Sequence, residues 1–139
     1  MPINPAITET EPNRIDSLIE EHISFFGKDK ALTLLKYHRK KCEEAFNDAG
    51  VVMVLDAIFE EFGITYSFLV HGARMSHKRV SAMKLACYCL LRIKNVKPWK
   101  SSFILDRNKR VLYLYTKEVE NSTDPYIKKL KEKLTKKLS

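Results

Sequence analysis

Apolar residues recur at helical spacing along most of the chain. Ile15, Leu18, Ile19, His22, Ile23 and Phe26 share one face after Asn13, which can serve as an N-cap, and Gly27 stops the segment. Asp29 can cap a second helix whose face is Ala31, Leu34, Leu35, His38, Cys42, Ala45 and Phe46, ending at Gly50. The β-branched run from Val51 to Leu55 could be a buried strand. Leu55, Ile58, Phe59 and Phe62 keep the 3.6 period, however, and Gly63 supplies a stop, so a helix is expected. Ile64 to Ser76 is a connector. A long helix follows from about His77 to Lys94. Val80, Met83, Ala86, Cys87, Leu90 and Ile93 can face a core there, with His77, Ser81, Lys84, Tyr88 and Arg92 on a wetter stripe. Pro98 opens a short helix carrying Trp99, Phe103 and Ile104. The next helix turns Val111, Leu112, Tyr115 and Val119 inward, and Asp124-Pro125 caps a last one with Ile127, Leu130, Leu134 and Leu138 inside. Repeats, strand signals and hairpin signals are absent. The expected fold is all-α, a helical bundle with an N-terminal helical hairpin. Residues 1–12, with three prolines and no apolar period, read as a disordered tail. Residues 13–50 read as an acidic hairpin with one apolar face, which would pack on the remainder or form a homodimer or partner surface. Residues 51–139 read as a basic domain.

Charge sharpens this division. Residues 1–63 carry 7 Lys and Arg against 12 Asp and Glu, net −5; residues 64–139 carry 18 against 5, net +13. The second part has the electrostatic footprint of a polyanion binder. No run of 18 apolar residues suggests a membrane span, and the N-terminus does not read as a secretory signal. Cys42, Cys87 and Cys89 form no framework, which implies reduced thiols and a cytoplasmic protein. Cys87 and Cys89 point to different sides of a helix and do not suit a metal; His22, His38, His71 and His77 have no metal spacing. The adjacent pairs Glu20-Glu21, Glu43-Glu44 and Glu60-Glu61 diverge on a helix and read as solvated faces. No catalytic constellation, metal or cofactor is expected.

The chemistry concentrates at the turn Leu105-Asp106-Arg107-Asn108. A long helix, a short basic helix, this turn and a helix that opens basic make the layout of a helix-turn-helix DNA reader. Arg107, Lys109 and Arg110 stand at the expected start of the third helix, with Asp106 as a candidate N-cap. Arg110, Tyr113 and Lys117 continue one face. His77, Lys78, Arg79 and Lys84, early on the long helix, could hold phosphates of double-stranded DNA.

Residues 57–138 resemble the C-terminal DNA-binding domain of the bacterial replication initiator DnaA, a helix-turn-helix class shared broadly with the Trp repressor. Ala57-Ile58-Phe59-Glu60-Glu61-Phe62-Gly63-Ile64 is similar to the family's opening helix. Leu69 followed by Arg74 resembles its connector, and Met83-Lys84-Leu85-Ala86-Cys87-Tyr88 its long helix. Phe103 to Val119 resembles its turn and recognition helix, and the helix from Asp124 to Leu138 has a counterpart. The family's R-D-H-[ST]-T-V falls on Asp106-Arg107-Asn108-Lys109-Arg110-Val111, where the valine is retained. The glycines of the turn are absent, and no Gly-x-x-x-x-Gly-Lys-[Ser/Thr] ATPase motif exists. The resemblance implies a bacterial or phage DNA-binding protein whose Arg74 enters the minor groove beside the recognition helix. The alternative is a protein-interaction module that keeps this fold and has lost the DNA site.

Overall fold

The computed structural model describes residues 5–72 and 76–139, with side chains from Arg14 onward. Among these residues there is no strand, and the fold is an all-α helical bundle. The helices are α1 (Pro5–Phe26), α2 (Lys28–Phe46), α3 (Ala49–Phe62), α4 (Tyr66–His71), α5 (His77–Tyr88), α6 (Pro98–Leu105), α7 (Lys109–Glu120) and α8 (Pro125–Leu138). A π turn, Cys89–Ile93, extends α5 and closes with the Lys94 N–H donating to the Cys89 carbonyl at 3.0 Å. The chain forms two compact units, residues 1–42 and 43–139, the boundary falling inside α2.

In the first unit, one expectation changes. Helix α1 begins at Pro5 and not at Asn13, so the segment expected to be disordered is helical from Pro5 onward. A proline suits that first position, because its fixed φ is helical and the first turn needs no N–H donor. Gly27 is the single residue between α1 and α2. Gly27, at φ 81°, donates its N–H to the Ile23 carbonyl at 2.8 Å, and its own carbonyl accepts from Ala31 at 2.9 Å. One residue thus ends α1 and starts α2. Ile15, Leu18, Ile19 and Ile23 on α1 and Leu32 and Leu35 on α2 are exposed, whereas Ala31 and Ala45 on α2 are buried.

The second unit is organised around α5. Helices α3, α4 and α7 pack against it; α6 lies on α7 and the π turn, and α8 on α3, α7 and the π turn. Because neighbours come from several directions, Arg79, Ser81, Ala82, Met83, Leu85, Ala86 and Cys87 are all buried. Ser81, expected on a wet stripe, is therefore inside. The core adds Val51, Val54 and Ile58 from α3, Leu90 from the π turn, Ile104 from α6, Leu112 from α7 and Leu134 from α8. The Tyr66 hydroxyl donates to the Ile104 carbonyl at 2.5 Å and ties α4 to α6. All three cysteines are free, and burial pushes the Cys87 and Cys89 thiols up to about 12. Among the described residues no helix is long and apolar enough to cross a membrane, and no group of His, Cys, Asp and Glu could hold a metal.

Helix α3 starts on Asp48, a cap hidden by the reading that ended α2 at Gly50. Its carboxylate accepts from the Gly50 and Val51 N–H groups at 2.9 and 3.3 Å and from Lys100 Nζ at 2.9 Å. The Lys100 hydrogen bond is the largest influence, and it holds the Asp48 carboxyl below its ordinary value of 3.8 against the opposing effect of burial. A folded pKa below the unfolded one means stability that is complete above 3.8 and lost as pH falls through the folded value. Asp48→Asn keeps a capping oxygen and removes the charge. We expect it to cost about 1 kcal/mol at neutral pH. The difference from wild type should close as urea denaturation is repeated at pH values below 3.8; a difference independent of pH would refute the Lys100 contact as its source.

Candidate nucleic-acid interface

The short helix α6, residues 106–108 and α7 occupy one edge of the second unit. Asp106 ends α6 in the left-handed region, φ 51° and ψ 48°, with its N–H on the Ser102 carbonyl. That conformation disfavours most side chains, and aspartate tolerates it better than most non-glycine residues. Asp106 is thus the C-cap of α6 and not the N-cap of α7. Asn108 takes the N-cap role, its side-chain oxygen accepting from the Val111 N–H at 2.9 Å.

The candidate cations divide into three groups. Arg79 and Arg107 are drawn inward. Arg79 is 6% exposed; Nε donates to the Phe68 and Leu69 carbonyls at 3.0 and 3.2 Å, and Nη2 to the Val70 carbonyl at 3.0 Å. It caps the C-terminus of α4, where unpaired carbonyls and the negative end of the helix favour a cation. Gly72 makes room: a Cβ there would lie 2.6 Å from the Phe68 carbonyl oxygen and 2.9 Å from Arg79 Nε. Arg107 belongs to the turn rather than to α7. Its Nη1 donates to the Leu105 and Asp106 carbonyls at 3.2 and 2.9 Å, and its Nη2 to Val70 at 3.4 Å. Ser102 Oγ donates to the Arg107 carbonyl. The expectation that Arg79 holds phosphate, and that Arg107 opens the recognition helix, is corrected by these bonds: both guanidiniums converge on the end of α4.

A second group lines the junction of α5, α7 and α8. Lys84 Nζ pairs with Glu118 at 2.8 Å, and the His77 ring lies 6.2 Å from that of Tyr126. His77, Lys84, Glu118 and Asp124 help to line a cleft of about 190 Å³. Lys84 is thus engaged by a carboxylate of α7. Lys78 is exposed in the first turn of α5.

The third group remains on the surface. Lys109, Arg110, Tyr113 and Lys117 are exposed on α7, while Leu112, Thr116 and Val119 on its other side are buried. Leu114, 53% exposed, stands one turn after Arg110 on the same face. The spacing that marked Arg110, Tyr113 and Lys117 also marked Leu114, which was overlooked because an apolar residue next to Leu112 reads as core. Neither α5 nor α7 has an acidic residue in its first turn; His77 and Lys78 open one, and Lys109 and Arg110 the other. Elsewhere in the unit lysines meet acids: Lys133 pairs with Glu61 at 2.9 Å and Lys137 with Glu60 at 2.8 Å. Arg74 lies outside the described residues. No family model matches the chain, and comparisons with curated proteins and with solved structures return no match.

Proposed function

We propose that this chain binds double-stranded DNA as a helix-turn-helix protein of the DnaA C-terminal type, with α6 and α7 as the motif and α7 in the major groove. The observation that carries this reading is the pair Lys109 and Arg110, exposed in the first turn of α7 with no acid in that turn. Cations are disfavoured at the positive end of a helix by about 0.3–1 kcal/mol each. Folding gains nothing from this arrangement, whereas a phosphate or a guanine edge would reward it. Tyr113 and Lys117 extend the contact along the groove, and Lys78 supplies a further phosphate ligand from α5. Following the resemblance, Arg74 would reach the adjacent minor groove. The reduced thiols fit a cytoplasmic, bacterial or phage protein.

One observation favours a second reading, a protein-interaction module. Leu114 and Tyr113 are 53% and 41% exposed between Arg110 and Lys117, and an apolar centre with a basic rim also fits an acidic protein partner. On DNA the same leucine would lie against a thymine methyl group. Fluorescence anisotropy with mixed-sequence duplexes across a salt series separates the two. A DNA reader using Lys78, Lys109, Arg110 and Lys117 should lose affinity with a log–log slope of about −3 or steeper, because each phosphate contact releases counterions. Absence of binding at the lowest salt would eliminate the DNA reading and leave the protein partner.

A further inference from the structure

We propose that the carbonyl oxygen of Val70 is a joint that fixes the starts of α5 and α7 relative to each other. Arg107 is then a positioning residue for DNA: it sets the spacing of the phosphate ligands without touching a phosphate. The role in DNA binding rests on the helix-turn-helix reading given above; the joint itself does not.

Two guanidiniums reach this one oxygen. Arg79 Nη2 donates to it at 3.0 Å and Arg107 Nη2 at 3.4 Å. A carbonyl carries two lone pairs, so it can accept both. As a cap for α4 the second bond is redundant, because Arg79 alone serves Phe68, Leu69 and Val70. It also brings two like charges together, which is unfavourable. What Arg107 adds is a tie between parts of the chain 37 positions apart. Each arginine is anchored in its own element as well. The Arg79 N–H donates to Oγ of Ser76, the cap of α5, at 3.1 Å. The Arg107 N–H donates to the Ser102 carbonyl at 3.2 Å, and its Nη1 to Leu105 and Asp106 at 3.2 and 2.9 Å. With Val80, Met83 and Tyr115, the two arginines line a void of about 10 Å³, too small for more than one water.

The residues carried by this joint are the candidate phosphate ligands. Lys78 precedes Arg79 by one position and Lys109 follows Arg107 by two, and both lysines are exposed. One opens α5 and the other α7, so the distance between them depends on how the two helix starts are held. The core does not hold the first turn of α7, whose first buried residue is Leu112. Its placement therefore falls to the turn, and through Arg107 to Val70. Phosphates on a duplex stand at fixed spacing, and contacts to them set the register of the protein. Ligands already held at that spacing lose less freedom on binding than ligands on helix starts that shift independently. Gly72 keeps the joint clear, since a Cβ there would press on the Phe68 carbonyl and on the Arg79 side chain.

Arg107→Met in the full chain keeps an apolar stem and removes the guanidinium fork. Duplex affinity at low salt, measured by fluorescence anisotropy, should be about tenfold weaker than wild type, with an unchanged log–log salt slope. A slope shallower by about one unit would make Arg107 a phosphate ligand and overturn the positioning role. Wild-type affinity would confine Arg107 to the stability of the turn and overturn it equally. The joint is tested without DNA by paired spin labels at Lys78→Cys and Lys109→Cys in a Cys42→Ser background, Cys87 and Cys89 being buried. Their distance distribution should broaden when Arg107→Met is added; an equally narrow distribution would overturn the joint. A wild type that binds no duplex ends the DNA reading and the positioning role with it, while the distance distribution still decides the joint. Should circular dichroism show Arg107→Met to be unfolded, Arg107→Lys decides, because an ammonium cannot span Leu105, Asp106 and Val70 at once. Weaker affinity with a broadened distance supports the proposal, and wild-type values of both refute it.

Discussion

Replacing Arg79 by methionine is expected to destabilise the second unit by about 3 kcal/mol, with little loss of packing volume. The side chain donates to three carbonyls at the end of α4 and is 6% exposed. Hydrogen bonds from a charged donor contribute about 1.5–3 kcal/mol each, and buried acceptors left without a donor add a desolvation penalty. Breaking a buried charge contact by removing one partner costs about 3–5 kcal/mol in general. Here the acceptors are neutral carbonyls rather than a charged partner, which argues for the lower end. Urea denaturation should show a lower midpoint with an unchanged slope, the signature of a stability change rather than a change in the unfolded state. A midpoint within about 0.5 kcal/mol of wild type would mean that water replaces the guanidinium and that α4 does not need its cap. Arg79→Lys should recover only part of the loss, since an ammonium lacks the fixed fork that reaches all three carbonyls.

The second large effect falls on ligand affinity with no cost in stability. Lys109→Ala, Arg110→Ala and Lys117→Ala together remove the exposed cations of α7 and leave Leu112, Thr116 and Val119, its buried side, untouched. Duplex affinity at low salt should fall by about 10²-fold or more, and the salt slope should become shallower by about 2–3 units, near one for each cation lost. Unfolding should be unchanged or slightly harder, because two cations leave the positive end of a helix. Equal salt slopes for variant and wild type would move the DNA contact off α7. Arg107→Ala should behave differently, since that guanidinium donates to Leu105, Asp106 and Val70. Its loss should show first in the stability of the turn.

Helix positions were readable wherever a strong period met a cap. Asp124 with Pro125, and Ile127, Leu130, Leu134 and Leu138, define α8 as the sequence suggests. The long helix from His77 was equally legible, although not its π turn, whose register depends on packing against α3, α6 and α8. The start of α3 was misplaced because Gly50 was taken for a stop. In the fold it is an early residue of α3, and its N–H is held by Asp48.

By itself the sequence determined an all-α chain, the net +13 beyond residue 63, and the face on which Arg110, Tyr113 and Lys117 stand together. These are local properties: a helix of period 3.6 fixes which neighbours share a side. Only the tertiary structure decided which arginines remain outside. Arg79, Arg107 and Arg110 are equivalent as sequence, each a cation near a helix start. Val70 accepts from Arg79 across nine positions and from Arg107 across 37. A guanidinium is buried only where distant carbonyls converge to receive it, and no local pattern records that convergence.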